Sequence, residues 1–165
     1  MKIVIISDTH MPKMAKNLPA SLIEGLKGVD LIIHAGDWQT LDVYEQLLQY
    51  ATVAGVSGNV DGTDIKEKFG EKMILQLNCK RIGVVHGHGQ KGTTEKRAHA
   101  AFKDDHVDMI IFGHSHIPVK KEMDGVLLFN PGSPTDKRRQ PAFSYGLLHI
   151  TDTIHAEHVF YNNKG

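Results

Sequence analysis

The residues able to do chemistry collect in five short turns, each of which follows an apolar run. Ile3 to Ile6 leads into Ser7-Asp8-Thr9-His10, and Leu31 to Ile33 into His34-Ala35-Gly36-Asp37. Val53 to Val56 leads into Ser57-Gly58-Asn59-Val60-Asp61, Ile82 to Val85 into His86-Gly87-His88, and Met109 to Phe112 into Gly113-His114-Ser115-His116. Asp, Asn and His without cysteine make a mixed oxygen and nitrogen field. Such a field suits Mn, Fe, Co, Ni or Zn better than an all-oxygen calcium site. The candidates exceed the needs of one ion, whereas two ions sharing a carboxylate would use them. A pair of ions about 3.5–4 Å apart clamps the attacking and leaving oxygens of a phosphoryl displacement, so the cluster points to hydrolysis of a phosphate ester. Taken singly, Asp8 reads as an Asx-turn residue and Asp37 as a helix cap. Neither reading explains why every one of these strand ends carries the same chemistry.

The elements that must position these residues follow from hydrophobic periodicity. The apolar runs are short, continuous and β-branched, as in strands covered on both faces. Helical spacing falls between several of them: Ala20 to Leu26, Leu41 to Leu48 (apolar Leu41, Val43, Tyr44, Leu47 and Leu48), and Thr93 to Phe102 (Ala98, Ala101 and Phe102). Strand alternating with helix predicts βαβ units and a mostly parallel core. In such sheets the carboxyl ends of the strands form one rim where ligands bind. The remaining runs predict antiparallel hairpins. Lys72 to Leu77 and Arg81 to Val85 flank Asn78-Cys79-Lys80, while Val119 to Met123 and Val126 to Phe129 flank Asp124-Gly125. Phe143 to Ile150 and Ile154 to Phe160 flank Thr151-Asp152-Thr153. A mixed sheet, or two packed sheets with outer helices, satisfies this pattern. No repeat, low-complexity segment or interdomain linker interrupts it, and one domain over residues 1–165 is expected.

In this order, Asp8-Thr9-His10, Gly36-Asp37, Gly58-Asn59-Val60-Asp61, His86-Gly87-His88 and Gly113-His114-Ser115-His116 resemble the motifs of the calcineurin-like metallophosphoesterase superfamily. The short chain and Asn130-Pro131-Gly132-Ser133 resemble its small bacterial and archaeal phosphodiesterase branch. The resemblance spans residues 8 to 133 and implies an α/β fold, a four-layer αββα sandwich of two mixed sheets flanked by helices. It also implies a dinuclear site with two divalent transition-metal ions, Mn first, with Ni, Fe, Co or Zn as alternatives. The pattern places Asp8, His10 and His116 on one ion, Asn59, His86 and His114 on the other, and Asp37 between them. The expected reaction is in-line attack of a metal-activated hydroxide on a phosphodiester. His88 is the candidate for contacting phosphate or protonating the leaving oxygen. Many members carry histidine after Gly-Asn to assist the leaving group, whereas this chain has Val60, which cannot transfer a proton. Asp61 fits the acidic position of that motif, where it would orient a histidine. Gly132 and Ser133 would border the pocket.

The other histidines have plainer readings. His34, at the end of a buried-looking strand, is expected to be a satisfied core group or a support behind the ligands, and His99, His106, His149, His155 and His158 to be solvated or packed. Lys137-Arg138-Arg139 reads as a solvated basic run that could also attract phosphate.

Composition narrows the partners. Lys plus Arg is 19 and Asp plus Glu is 19, so no general attraction to nucleic acid or acidic lipid is implied. Nucleic acid stays open as a diester substrate. The 165 residues are enough to bury roughly 70% of the unfolded surface without staples. The single cysteine, Cys79, excludes an internal disulfide and fits a reducing compartment. The run after Lys2 is too short for a secretory h-region, and no stretch approaches the roughly 18 to 20 apolar residues of a membrane span. A cytoplasmic protein is expected, and a homo-oligomer through an edge strand is compatible with the sequence. Two alternatives accompany the phosphodiesterase reading: phosphomonoester hydrolysis, and a non-catalytic interaction scaffold of the same fold. The scaffold reading follows from the likeness of Asp8 through Leu18-Pro19-Ala20 to a eukaryotic retromer subunit with an altered ligand set. Asp37 and Asn59 match the catalytic pattern and favour the enzyme.

Overall fold

A computed structural model describes residues 1–165. Its frame is set by alternation along the apolar strands. In β1 (Lys2–Ile6), Ile3 and Ile5 face one way and Val4 and Ile6 the other, and all four are fully buried. Burial on both faces demands a layer on each side. The chain supplies it with a second sheet on the Ile3 and Ile5 face, and with helices on the Val4 and Ile6 face.

The first five-stranded sheet has the order β10-β9-β1-β2-β3. Its strands β1, β2 (Leu31–His34) and β3 (Thr52–Gly55) are parallel, with Ile6 beside His34 and His34 beside Gly55. β9 (Phe143–Ile150) runs antiparallel to β1 and carries β10 (Ile154–Tyr161) as its edge. The second sheet has the order β4-β5-β6-β8-β7. Here β5 (Lys80–Val85), β6 (Met109–Ile111) and β8 (Val126–Asn130) are parallel. β4 (Lys72–Leu77) and β7 (Val119–Met123) are the antiparallel edges.

Between the sheets, Ile3, Ile5, Ile33 and Val56 meet Ile82, Val84, Met109, Ile111 and Phe129. Outside the first sheet, α1 (Ala20–Leu26) and α2 (Asp42–Leu48) bury Leu22, Leu26, Val43 and Leu47, while α3 (Thr63–Phe69) adds Ile65. Outside the second, α4 (Thr94–Ala101) lays Ala98, with Phe102 just after it, on Ile110, Phe112 and Leu128. The architecture is therefore the four-layer αββα sandwich expected. Of the open alternatives, two packed sheets is the one realised, because both faces of each parallel core are apolar.

The structure adds detail at the element ends. α3 is a helix that apolar spacing did not announce. It is seven residues long, buries Ile65 and is bracketed by Gly62 and Gly70. The β4–β5 turn is Asn78-Cys79, with Leu77 paired to Lys80, so β5 begins one residue before Arg81. At the β7–β8 turn, Asp124 and Gly125 have φ of 53° and 79°, as the two-residue hairpin requires. No helix is long and apolar enough to cross a membrane.

Because Ile5 is fully buried in the layer shared by both sheets, Ile5→Ala is expected to cost about 2–5 kcal/mol. Urea unfolding should show a lower midpoint with an unchanged slope.

Candidate metal centre

All six parallel strands end on one side, and the polar turns begin there. Ladder-like backbone bonds carry the register into the turns. The N–H of Asp8 donates to Gly36 O at 2.9 Å, that of His10 to Asp37 O at 3.1 Å, and that of Gly113 to His86 O at 3.0 Å. The turns leave little room for side chains other than those that face the site. A Cβ on Gly58 would run into the Asp37 carboxylate, and one on Gly113 into Ser7 Oγ and the Asp8 carboxylate. Backbone conformation is also bent to the purpose. Asp8, His10, Asp37, His114 and His116 all have φ between 45° and 73°, the left-handed region that costs a non-glycine residue about 1–3 kcal/mol.

Two triads of potential ligands result: Asp8, His10 and His116, and Asp37, His86 and His114, with the ligand atoms of each triad within 4.8 Å of one another. Asp37 lies between the triads, its Oδ2 3.2 Å from His86 Nε2 and 3.6 Å from His10 Nε2. Asp8 Oδ1 is 3.4 Å from His116 Nε2, 3.7 Å from His86 Nε2 and 3.9 Å from His10 Nε2. Asn59 is exposed at the rim, with its Oδ1 3.2 Å from His114 Nδ1. The structure thus brings together all the residues that the sequence nominates as ligands.

The hydrogen bonds behind these residues say what the site is built to hold. The other carboxylate oxygen of Asp8 accepts from Ser7 Oγ at 2.8 Å and from the His114 N–H at 3.0 Å. The Nδ1–H of His86 donates to Ala35 O at 2.7 Å, and that of His116 donates to Asp136 O at 2.6 Å. A carbonyl can only accept, so in each neutral ring the proton sits on Nδ1 and a lone pair on Nε2. Those lone pairs face carboxylate oxygens. Asp8 Oδ1, His10 Nε2, His86 Nε2 and His116 Nε2 are all buried without a hydrogen-bond partner. Lone pairs gathered against lone pairs need a cation or a proton between them. Imidazole nitrogen with carboxylate oxygen is a donor set that divalent transition metals accept, and ring nitrogens oriented from behind by carbonyls are the usual support of such ligands. The residues present fit the metal ions.

Without an ion, protons take part of that place. Burial lowers the pKa of His86, but the charge of Asp8 and the contact and charge of Asp37 outweigh it and raise the group to about 9. Burial likewise pushes Asp37 up, and His86, aided by the Val60 N–H, draws it below the usual carboxylate range. His10 and His114 are lowered, chiefly by burial.

Three further residues behave as follows. His88 is exposed, its ring 5.5 Å from that of His86 and 6.4 Å from that of His114, so it stands at the rim and not among the ligands. Burial and the His86 charge lower its pKa. Asp61 does not orient a histidine, as its motif position suggests. It is buried, with Oδ2 accepting from the N–H groups of Asp37 at 2.9 Å and Gly58 at 2.7 Å, and Oδ1 accepting from that of Gln39 at 2.9 Å. The nearby backbone donors are closer than any imidazole, so Asp61 fastens the Asp37 turn to the Asn59 turn. Val60 is 47% exposed, and its N–H donates to Asp37 Oδ1 at 3.0 Å.

His34 is the core group anticipated. Gly36 N–H donates to its Nδ1 at 3.1 Å, its Nε2–H donates to Thr9 Oγ1 at 3.0 Å, and the ring stacks on Trp38 at 3.8 Å. Burial holds it neutral. His158 is packed on Phe129 and donates to Asn130 O at 2.7 Å. Ser133 Oγ donates to Asp8 O at 2.8 Å and Thr135 Oγ1 to Thr9 O at 2.6 Å, tying the loop after β8 to the Asp8 turn. Sequence reading missed Ser7, Ala35, Thr135 and Asp136. Two of these act through backbone carbonyls, which side-chain identity cannot reveal, and Ser7 and Thr135 carried only their closeness to motif residues.

Two outcomes follow. A histidine whose folded pKa is raised stabilises the fold fully below its ordinary value and loses that contribution as pH rises through the folded value. Chelator-stripped protein should therefore lose thermal stability between pH 6.5 and about 9, and saturating Mn²⁺ under argon should remove that decline by replacing the proton. Scanning fluorimetry at both conditions reads it. Asp61→Asn puts an amide against backbone donors, and calorimetric titration should show Mn²⁺ binding weakened by about 10- to 100-fold.

The family model of the calcineurin-like phosphoesterase superfamily domain matches residues 1–153. A probable metallophosphoesterase of Methanocaldococcus jannaschii is 35% identical over 158 residues, covering 95% of this chain and 80% of the relative. A phosphodiesterase of the same organism is 32% identical, covering 80% of this chain and 83% of its own length. The zinc-complexed Vps29 of Entamoeba histolytica superposes with a TM-score of 0.78 over 98% of this chain and all of that one, at 24% identity, which shows the shared fold. The chain belongs to the calcineurin-like phosphoesterase superfamily.

Proposed function

We propose that the protein is a phosphodiesterase working with two divalent transition-metal ions, Mn²⁺ first. Asp8, His10 and His116 would hold one ion, Asn59, His86 and His114 the other, and Asp37 would be shared. The observation that carries this is the set of buried, unpartnered ligand atoms on Asp8, His10, His86 and His116. When bound, the ions supply Lewis acidity, making water a competent nucleophile near neutral pH and balancing the charge of the phosphoryl oxygens.

The chain's own groups have separable tasks. The Ala35 and Asp136 carbonyls fix the tautomers of His86 and His116, so both rings present lone pairs to the site. Asn59 is neutral and adds no negative charge opposite an anionic substrate. His88, exposed beside His86 and His114, is positioned to bind phosphate or to protonate a leaving oxygen. Burial and the His86 charge lower its pKa, so its acid form, and any proton donation by it, would gain as pH falls. Asp61 is a positioning residue. Diester preference is supported by the phosphodiesterase relative and by Val60, which leaves the leaving-group side without the histidine common in the superfamily. A nucleic-acid backbone falls within this substrate class. The exposed thiol of Cys79 suits the reducing cytoplasm, where we place the protein.

The scaffold alternative shares the fold with Vps29, which itself takes zinc; Asp37 and Asn59, which match the catalytic pattern, favour the enzyme. Hydrolysis of bis(p-nitrophenyl) phosphate by chelator-stripped protein, with and without Mn²⁺ and with the monoester as comparator, decides between the readings. Mn²⁺-dependent turnover favouring the diester is expected, and absence of turnover with Mn²⁺, Ni²⁺, Co²⁺ and Zn²⁺ alike would sink the proposal. Asp37→Ala should abolish binding of both ions. His88→Ala should retain them and slow diesters with alkyl leaving groups by about 10²–10⁴-fold. It should affect p-nitrophenyl diesters far less, because that leaving group needs no proton.

A further inference from the structure

Beside the metal-ligand turns lies a recess of about 400 Å³ lined by Ser115, Ile117, Arg138, Arg139 and Gln140. Two peptide segments connect its lining to the site. Ser115 separates His114 from His116, and Asp136, whose carbonyl orients His116, precedes Arg138 by two residues. Both segments are held firmly. Ser115 Oγ accepts from Asn130 Nδ2 at 3.1 Å and from the Ile117 N–H at 3.3 Å. Asp136 N–H donates to Ser133 Oγ at 2.8 Å, and Lys164 Nζ donates to Thr135 O at 2.8 Å.

The two arginines are exposed at the tip of a turn closed by the Gln140 N–H donating to Lys137 O at 2.9 Å. Arg138 has φ of 50°, a strained value for a long side chain. Neither guanidinium makes a hydrogen bond, ion pair or aromatic contact, whereas Arg97 has all three of its guanidinium nitrogens engaged. No carboxylate lines the recess, and Ile117, 45% exposed, gives it an apolar wall. The nearest acid in sequence, Asp136, has its carboxylate 3.8 Å from His116 Nδ1. A free guanidinium pair with planar donors matches phosphate oxygens bidentately.

We propose that Arg138 and Arg139, with Ser115 and Ile117, form a subsite for a second phosphate on the substrate. The preferred substrates are then diesters that carry a terminal phosphate beside the scissile one. This rests on the phosphodiesterase reading above. It explains how a chain of zero net charge gathers an anionic substrate: the attraction is local to one rim.

The test compares thymidylyl-thymidine with and without a 5′-phosphate, following diester cleavage by chromatography of the products with Mn²⁺-loaded protein. The wild type should cleave the 5′-phosphorylated dinucleotide with kcat/KM at least about tenfold higher. The double variant Arg138→Ala, Arg139→Ala should lose that advantage, while keeping its thermal midpoint and its rates on the unphosphorylated dinucleotide and on bis(p-nitrophenyl) phosphate within about twofold. Equal rates on both dinucleotides in the wild type, or an advantage that survives in the variant, would overturn the subsite. If no diester is cleaved, the phosphodiesterase reading fails by itself. Calorimetric titration of both dinucleotides into chelator-stripped protein then decides the subsite separately. Tighter binding of the phosphorylated form in the wild type and not in the variant supports it, and equal binding refutes it.

Discussion

Two buried carboxylates facing imidazole lone pairs constrain everything else in this protein. Asp8 and Asp37 are 0% and 3% exposed, and His86 and His116 are 0% and 1% exposed. Charges and lone pairs withdrawn from water repel one another unless a proton or an ion is placed among them. The alternative response, rotating a ring away, is blocked by the carbonyls of Ala35 and Asp136 behind His86 and His116. The site therefore has two states available to it, partly protonated or cation-loaded, and the surrounding fold is arranged to prevent a third in which it relaxes.

That restraint depends on the sandwich. Left-handed φ at Asp8, His10, Asp37, His114 and His116 disfavours the native turns locally. The compensation lies in the strands that precede them, where Ile3, Ile5, Ile6, Ile32, Ile33, Val84 and Ile111 are fully buried. Parallel pairing aligns the strand ends, and backbone bonds between turns then hold neighbouring candidate ligands at fixed separations. Asp61 adds a bond network that side-chain replacement elsewhere cannot supply, since its two oxygens gather the N–H groups of Asp37, Gly58 and Gln39. Burial raises its pKa despite those donors, consistent with a carboxylate placed for structure.

Most of the fold was legible because its strands are apolar on both faces and its turns are chemically marked. The runs from Ile3, Leu31, Ile82 and Met109 became strands in place, and Asp124-Gly125 became the hairpin turn its residues demand. The candidate ligand residues were visible for the same reason: Asp, Asn and His repeatedly follow a buried strand. What stayed hidden acts through the backbone or through small, charged elements. α3 has one buried residue, Ile65, among charges, so no apolar stripe betrays it. The role of Asp61 was misread because its partners are N–H groups, which every residue but proline possesses. His158 shows the converse, an imidazole that sequence alone could not distinguish from a surface group, since only the fold places it on Phe129.

Val60 separates what packing dictates from what chemistry dictates at the rim. Its N–H contributes to the site by bonding Asp37 Oδ1, and any residue other than proline would do the same. Its side chain is 47% exposed and makes no contribution to the apolar cores. The identity of residue 60 is thus free of the fold and exposed to whatever enters the site. An apolar side chain there, facing solvent beside the exposed Asn59, offers contact but no proton. In the proposed reaction, proton transfer at this rim would fall to His88, which follows the strand end of the opposite sheet. On that reading the proton donor would stand beyond β5 of one sheet, and beyond β3 of the other only an apolar contact would meet the substrate.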